Sequence, residues 1–110
     1  MAELTTLARP YAKAAFEYAD AANGLDAWSK ALQELAVVVD DEKVASALSN
    51  PLATTEQHAQ VLIDLMGDDL DTKMQNFVRN MADNKRIALF GEISQLFDLM
   101  KANREQVLDV

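Results

Sequence analysis

Residues 4–24 read LTTLARPYAKAAFEYADAANG, and this stretch decides the fold because its apolar side chains repeat with helical spacing. One apolar stripe follows the two tyrosines, and a second stripe runs beside it. The first stripe contains Leu4, Leu7, Tyr11, Ala14, Ala15, Tyr18 and Ala22, and the second contains Ala8, Ala12, Phe16 and Ala19. A helix that is apolar over most of its circumference usually lies centrally in a bundle.

The two ends of this first helix carry different signals. Asn23-Gly24 is a typical left-handed stop, which predicts that the helix ends near Ala22. Pro10 leaves two alternatives for the start, because proline lacks the amide hydrogen that a helix interior needs. The helix either begins near Thr6, or begins earlier and bends at the proline.

Helical spacing continues through the rest of the chain. Ala and Leu dominate the apolar residues, and both favour helices over strands. Thr54 and Gln57 match a capping box, and the Asn50-Pro51 pair ends the helix before it. Further helices are predicted at residues 26–39, about 41–48 and about 87–103. Between them, one helix opens at the capping box and closes at Gly67, and another is capped by residues 68–71 and has apolar side chains from Leu70 to Ala82. Residues 107–110 alternate like a strand too short to pair. We therefore predict an all-α fold, a compact six-helix bundle joined by short links.

Composition excludes several classes of function. The formal net charge is −8, which disfavours nucleic acid and anionic membrane surfaces. No apolar run approaches the roughly 20 residues that cross a bilayer, so we expect no direct membrane insertion. The chain has no cysteine, which excludes disulfides and thiolate chemistry. No signal or transit peptide is evident at the start.

Reactive constellations are also missing from the sequence. The single histidine, His58, is expected on a solvent-facing side of the fourth helix in a surface role. A calcium loop counted from Asp69 would place Lys73 at an oxygen-ligand position, with no glycine following. The acidic residues near it therefore fit a helix start better than a metal site. We predict no catalytic residue, no cofactor and no metal, and hence a protein that is not an enzyme.

A second hypothesis comes from residues 67–71, which read GDDLD and are close to the acyl-carrier motif. In that motif a serine before the leucine carries the phosphopantetheine, whereas this chain has Asp69 there, with no hydroxyl to modify. The aspartate at position 69 therefore argues against an acyl-carrier function. The alternative function is nevertheless a small acidic helical carrier or regulatory bundle that binds an apolar ligand in an internal cavity.

The first helix allows two interpretations. Its alanines at positions 8, 12, 15 and 19 let another helix approach closely, with Tyr11 and Tyr18 beside them. The first interpretation is tight packing inside the bundle. The second is that part of the helix stays uncovered and forms one wall of a groove for a visiting amphipathic helix. Trp28 is expected in the core, close to such a groove.

Residues 8–16, which read ARPYAKAAF, resemble the opening signature of the delta family of F-type ATP synthase subunits. The mitochondrial relative is the oligomycin-sensitivity-conferring protein. Trp28, the Asn50-Pro51 break and the run QNFVRNMADNKR at residues 75–86 agree with this family in order and spacing. The resemblance implies an N-terminal helical bundle over residues 1–105. It also implies that residues 106–110 begin a linker to a C-terminal domain absent from this chain.

The resemblance further implies a non-catalytic stator, or peripheral-stalk, subunit of a proton-translocating ATP synthase. The bundle would bind the N-terminal helix of an alpha subunit, and the absent C-terminal domain would meet the b-subunit stalk. The implied location is the cytoplasmic face of a bacterial inner membrane, held there as a peripheral part of the complex.

The family's groove lies between the first and fifth helices. Carried over to this sequence, its walls are Tyr11, Ala14, Ala15 and Tyr18 on one side and Phe77, Asn80, Met81 and Asn84 on the other. One departure concerns Asn80, because family members usually have an aliphatic residue there. The resemblance therefore implies a fifth-helix wall that is partly polar in this chain.

Overall fold

The computed structural model describes the backbone of residues 2–109 and the side chains of residues 4–105. Within residues 2–109 the chain forms six α-helices, two short 3-10 helices and no strand. The α-helices are α1 (Ala2–Ala21), α2 (Leu25–Asp40), α3 (Glu42–Leu48), α4 (Thr55–Met66), α5 (Thr72–Asp83) and α6 (Phe90–Asp109), and the 3-10 helices are Gly67–Asp69 and Ile87–Leu89. The predicted all-α, six-helix bundle is confirmed.

The core is built around α6, not around α1. Helix α6 packs against α1 on one side and α2 on another, while α5 packs mainly against α4. The side chains of Phe90, Ile93 and Phe97 are fully buried along α6. The rings of Phe16 and Phe97 meet edge-on with centroids 5.6 Å apart, a favoured aromatic geometry. Helix α1 therefore contributes one face to the core and lies at the side of the bundle.

Polar caps begin the helices where the sequence predicts them. The Gln57 amide donates to Thr54 Oγ1 at 3.1 Å, and the Thr54 amide donates to Gln57 Oε1 at 2.9 Å, which completes the capping box. Asp71 Oδ1 accepts from the Met74 amide at 2.8 Å. A carboxylate at a helix N-terminus also interacts favourably with the helix dipole. The helix-start interpretation of this aspartate is thus confirmed.

Two helices end through residues in the left-handed conformation. Asn23 has a φ of 57°, and the Gly24 amide donates to the Ala19 carbonyl at 2.7 Å. Lys85 has a φ of 59°, and the Arg86 amide donates to the Met81 carbonyl at 2.8 Å. Each bond satisfies a carbonyl in the last helical turn. The predicted stop after α1 is confirmed, with Asn23, not Gly24, in the strained conformation.

Two helix boundaries differ from the expected ones. Helix α1 starts at Ala2 and passes through Pro10, which decides between the two alternatives for its start. Helix α6 starts at Phe90, after a turn of 3-10 helix, and continues to Asp109 where the sequence predicts an end near residue 103. Residues 107–109 are therefore helical in backbone and not strand-like, and residue 110 lies outside the described residues.

Ion pairs with distant residues accompany this longer α6. Lys101 Nζ lies 3.1 Å from Asp26 Oδ1 and 3.0 Å from Glu105 Oε2. Hydrogen bonds to these two carboxylates raise the pKa of Lys101. Arg104 Nε lies 3.3 Å from Asp20 Oδ1 at the end of α1. The contacts with Asp20 and Asp26 join α6 to the end of α1 and to the first turn of α2. Local helical propensity contains no information about such distant contacts.

Asp98 joins α6 to α2 through a polar cluster that should matter for stability. Ser29 Oγ donates to Asp98 Oδ1 at 2.6 Å, and Gln33 Nε2 donates to Asp98 Oδ2 at 2.9 Å. Asp98→Ala should lower the free energy of unfolding by about 1–3 kcal/mol, because the buried Ser29 hydroxyl loses its acceptor and keeps only the bond that it accepts from Gln33. Urea denaturation measures this change. Asp64→Ala is the control, since Asp64 is exposed and, among residues 4–105, forms a hydrogen bond with Gln60 alone; an equal loss there would contradict the prediction.

No helix in the described part of the chain is both long and apolar enough to cross a bilayer.

Candidate functional site

Helix α1 has two apolar faces, one buried in the bundle and one accessible to solvent. The first face is completely or almost completely buried and consists of Ala8, Ala12, Ala15 and Ala19. The second face, here named the outer stripe, consists of Leu4, Leu7, Tyr11, Ala14 and Tyr18. The spacing of the outer stripe alternates three and four residues, so its members lie along one side of the helix. The interpretation as tight packing is confirmed for the first face, whereas the groove wall stays a prediction for the outer stripe, which the bundle leaves uncovered.

The outer stripe remains accessible although it is largely apolar. Leu4 is 40% exposed, and Leu7 and Tyr18 are each 42% exposed. Ala14 is exposed and Tyr11 is half-buried. Scattered surface leucines are ordinary, but a continuous apolar stripe along a helix indicates a surface that meets another molecule.

Three of the four residues predicted for the α1 wall belong to the outer stripe. Tyr11, Ala14 and Tyr18 reach the surface, whereas Ala15 is 2% exposed and faces the core. Ala15 can support the wall from beneath but offers almost no surface of its own. Leu4 and Leu7 extend the same line of side chains, and sequence reasoning left them out of the site.

The α5 wall is divided in the same way. Phe77 is half-buried and Asn80 and Asn84 are exposed, whereas Met81 is fully buried in the core. Asn84 Nδ2 donates to Asn80 Oδ1 at 3.2 Å, so the two amides form a pair one helical turn apart. The accessible part of this wall is thus one aromatic ring followed by a polar pair.

Trp28 of α2 connects the two walls. Its ring centroid lies 5.6 Å from that of Tyr18 on α1 and 5.6 Å from that of Phe77 on α5. Phe77 in turn lies 6.3 Å from Phe90 in the core. Trp28 is only 5% exposed, which confirms its expected core position. The geometry makes the indole the floor between Tyr18 and Phe77.

A separate cleft lies beneath α3, on another part of the bundle. Its volume is about 540 Å³, and its apolar lining includes Val39, Leu48, Pro51 and Ile87. His58 also lines this cleft, and its Nε2 is buried without a hydrogen-bond partner. His58 as a whole is half-buried, so the expectation of a solvent-facing histidine is only partly correct. The burial of its Nε2 comes from the elements that line the cleft, which the helical pattern of α4 alone cannot predict.

The acidic residues near α5 make contacts with the protein itself. Asp71 caps α5, and the Asp69 side chain forms a hydrogen bond with Glu34 of α2 that raises the pKa of Glu34. Loss of hydration and repulsion by Asp69 act in the same direction. Across the described side chains, no cluster of three histidine, aspartate or glutamate residues has the arrangement of a metal site.

Comparison with known proteins places these features in a family. Residues 7–110 match the family model described as ATP synthase delta (OSCP) subunit. The chain belongs to this family. The match covers the outer stripe from Leu7 onward and all of α5, so both predicted walls lie within the family region. The resemblance drawn from ARPYAKAAF is confirmed.

Two curated ATP synthase delta proteins are similar to the entire chain. ATP synthase subunit delta of Cellvibrio japonicus (strain Ueda107) is 53% identical over 110 residues. ATP synthase subunit delta of Teredinibacter turnerae (strain ATCC 39867 / T7901) is 54% identical over 110 residues. The matched region is 100% of this chain but 62% of each relative, so the chain spans less than two thirds of their length.

Proposed function

We propose that this chain is the helical bundle of a non-catalytic stator subunit in a proton-translocating F-type ATP synthase. In this proposal, the groove between α1 and α5 binds the N-terminal helix of an alpha subunit. The observation that carries the proposal is the outer stripe, an apolar line with helical spacing that the bundle leaves accessible. Membership of the delta family supports the choice of complex.

The geometry of the groove suits an amphipathic helix. Such a helix presents anchor side chains at intervals of three and four residues, and the outer stripe repeats at the same intervals. Tyr11, Tyr18 and Phe77 are large aromatic side chains, the kind that contributes most to binding energy in protein interfaces. Trp28 beneath Tyr18 and Phe77 makes these anchors more rigid, which lowers the entropy lost on binding.

The remaining contacts of the complex are assigned by the same proposal. The formal charge of −8 disfavours direct attraction to anionic lipid. In this proposal, assembly into the complex therefore holds the chain at the cytoplasmic face of the bacterial inner membrane. The b-subunit stalk would be met by a C-terminal domain, in the part of the relatives that this chain does not cover.

Tyr11→Ala should weaken binding of a synthetic peptide that contains the N-terminal helix of an alpha subunit. We expect an affinity loss of roughly tenfold, because truncating an aromatic anchor typically removes more than about 1 kcal/mol. Isothermal calorimetry measures the dissociation constant. The emission of Trp28, the single tryptophan, should change during the same titration because the peptide covers its neighbours.

Leu99→Ala provides the matched control for this experiment, since Leu99 is 61% exposed on α6 and lies outside both walls. Affinity equal to wild type is expected for the control. Equal affinities in wild type and Tyr11→Ala would exclude Tyr11 from the binding surface. No binding of the peptide to wild type would reject the proposed function.

One observation favours the alternative of a small acidic carrier or regulatory bundle that binds an apolar ligand. The cleft beneath α3 has a volume within the usual range of ligand sites, about 300–1,000 Å³, and an apolar lining. A substitution that fills this cleft, Ala53→Phe, separates the two proposals. Under the stator proposal, Ala53→Phe should leave the affinity for the alpha-subunit peptide unchanged. The alternative would be favoured if wild type binds a fluorescent apolar probe but not the peptide, and if Ala53→Phe no longer binds the probe.

A further inference from the structure

The polar pair on α5 is placed where a helix in the groove would cover it. Phe77 and Asn80 lie in α5 and Asn84 is the residue that caps its C-terminus; spacings of three and four residues place all three on one side. Asn80 and Asn84 are exposed, and Phe77 is half-buried against Trp28. A partner helix that contacts the Phe77 ring and continues along α5 consequently passes over both amides.

The internal hydrogen bond leaves this pair with unused capacity. Asn84 Nδ2 donates to Asn80 Oδ1, and among the described residues neither side chain makes another hydrogen bond. The Asn80 amide nitrogen and the Asn84 amide oxygen remain available for an outside partner. If both amides were rotated by 180°, the pair would still offer one donor group and one acceptor group. The hydrogen-bonding character of the surface is thus independent of how the amides are oriented.

Covering these groups has a free-energy consequence that depends on the partner. Amides lose their hydrogen bonds to water when a helix buries them, and an aliphatic side chain opposite them returns none. An amide or hydroxyl side chain restores the lost bonds. Sites built around hydrogen bonds reject analogues that lack the matching group more strongly than apolar sites reject small changes of size.

We infer that the pair Asn80 and Asn84 is a specificity-determining element of the groove. It selects an alpha-subunit helix that presents an asparagine, glutamine, serine or threonine side chain to α5, and it disfavours helices with an entirely aliphatic face at that position. This inference rests on the proposed function and adds the chemistry that the partner must carry.

A double-mutant cycle between chain and peptide tests the inference. The probe is a synthetic peptide containing the N-terminal helix of the alpha subunit encoded with this chain, with each asparagine, glutamine, serine and threonine replaced by leucine in turn. On wild-type chain, one replacement should weaken binding by roughly tenfold, because the amide pair is left unsatisfied. On Asn80→Leu the same replacement should be neutral or should strengthen binding.

Two further variants keep the result interpretable. The double variant Asn80→Leu, Asn84→Ala removes both amides, so neither is left unsatisfied, and it should also abolish the penalty. Asn103→Leu makes the same change as Asn80→Leu at an exposed position on α6, outside both walls, and should retain the full penalty. Circular dichroism checks that each variant keeps the helical content of wild type.

Each outcome bears on a different statement. A leucine replacement that weakens binding equally on wild type, Asn80→Leu and the double variant Asn80→Leu, Asn84→Ala would overturn the inference while the groove itself stands. The absence of any sensitive polar position in the peptide would overturn it too. Failure of the unmodified peptide to bind wild-type chain would reject the proposed function, and the inference with it.

Discussion

Ala14→Asp is expected to weaken binding of the alpha-subunit peptide by at least about 100-fold, which corresponds to about 2.8 kcal/mol. Ala14 is exposed in the middle of the outer stripe, between Tyr11 and Tyr18, so a docked helix would bury the new carboxylate without a cationic partner. Removing an unpaired charge from water is strongly unfavourable. Calorimetric titration of the peptide into the variant measures the loss.

The folded bundle should tolerate this change. Because Ala14 is exposed, the variant should lose no more than about 0.7 kcal/mol of stability from the lower helix propensity of aspartate. Ala102→Asp is the matched control, with the same substitution at an exposed position of α6, and it should bind the peptide as wild type does. Equal binding by Ala14→Asp and Ala102→Asp would remove the outer stripe from the docking surface.

Phe97→Ala should lower the free energy of unfolding by about 3–5 kcal/mol. Phe97 is fully buried in α6 and packs edge-on against Phe16, so truncation leaves a cavity at the contact between α6 and α1. Small domains have a total stability of about 5–15 kcal/mol, so this loss would bring the chain near the limit of folding. Thermal and urea denaturation followed by circular dichroism measure the change.

Leu99→Ala tests whether this effect depends on burial. Leu99 lies two residues further along α6 and is 61% exposed, so the same kind of truncation should change stability by less than about 1 kcal/mol. Similar losses in Phe97→Ala and Leu99→Ala would mean that α6 is not the central helix of the bundle.

The sequence predicts most of the fold because the decisive signals are local. The capping box at Thr54, the stop at Asn23 and the apolar spacing each act within a few residues, and all appear in the structure. The end of α6 could not be predicted in this way. It depends on contacts such as that between Arg104 and Asp20, which are 84 positions apart in the chain.

The candidate site was predictable only in part for a related reason. Helical spacing identifies the two apolar faces of α1, but it does not say which face its neighbours cover. Ala15 is buried while its neighbour in sequence, Ala14, is exposed. In the same way, Met81 is buried while its neighbour Asn80 is exposed. His58 illustrates the same limit, since the burial of its Nε2 comes from elements that surround α4 and not from α4 itself.

The contact of Trp28 with both Tyr18 and Phe77 has an evolutionary consequence. Because Phe77 also contacts Phe90, one continuous series of rings extends from the outer stripe into the interior. If the proposed groove binds its partner, a substitution at Phe77 is under two selective pressures at once, through partner affinity and through the amount of folded protein in the cell. Sequence drift at this face should proceed by coordinated replacement of several rings, and the alpha-subunit helix should coevolve with residues that it never touches.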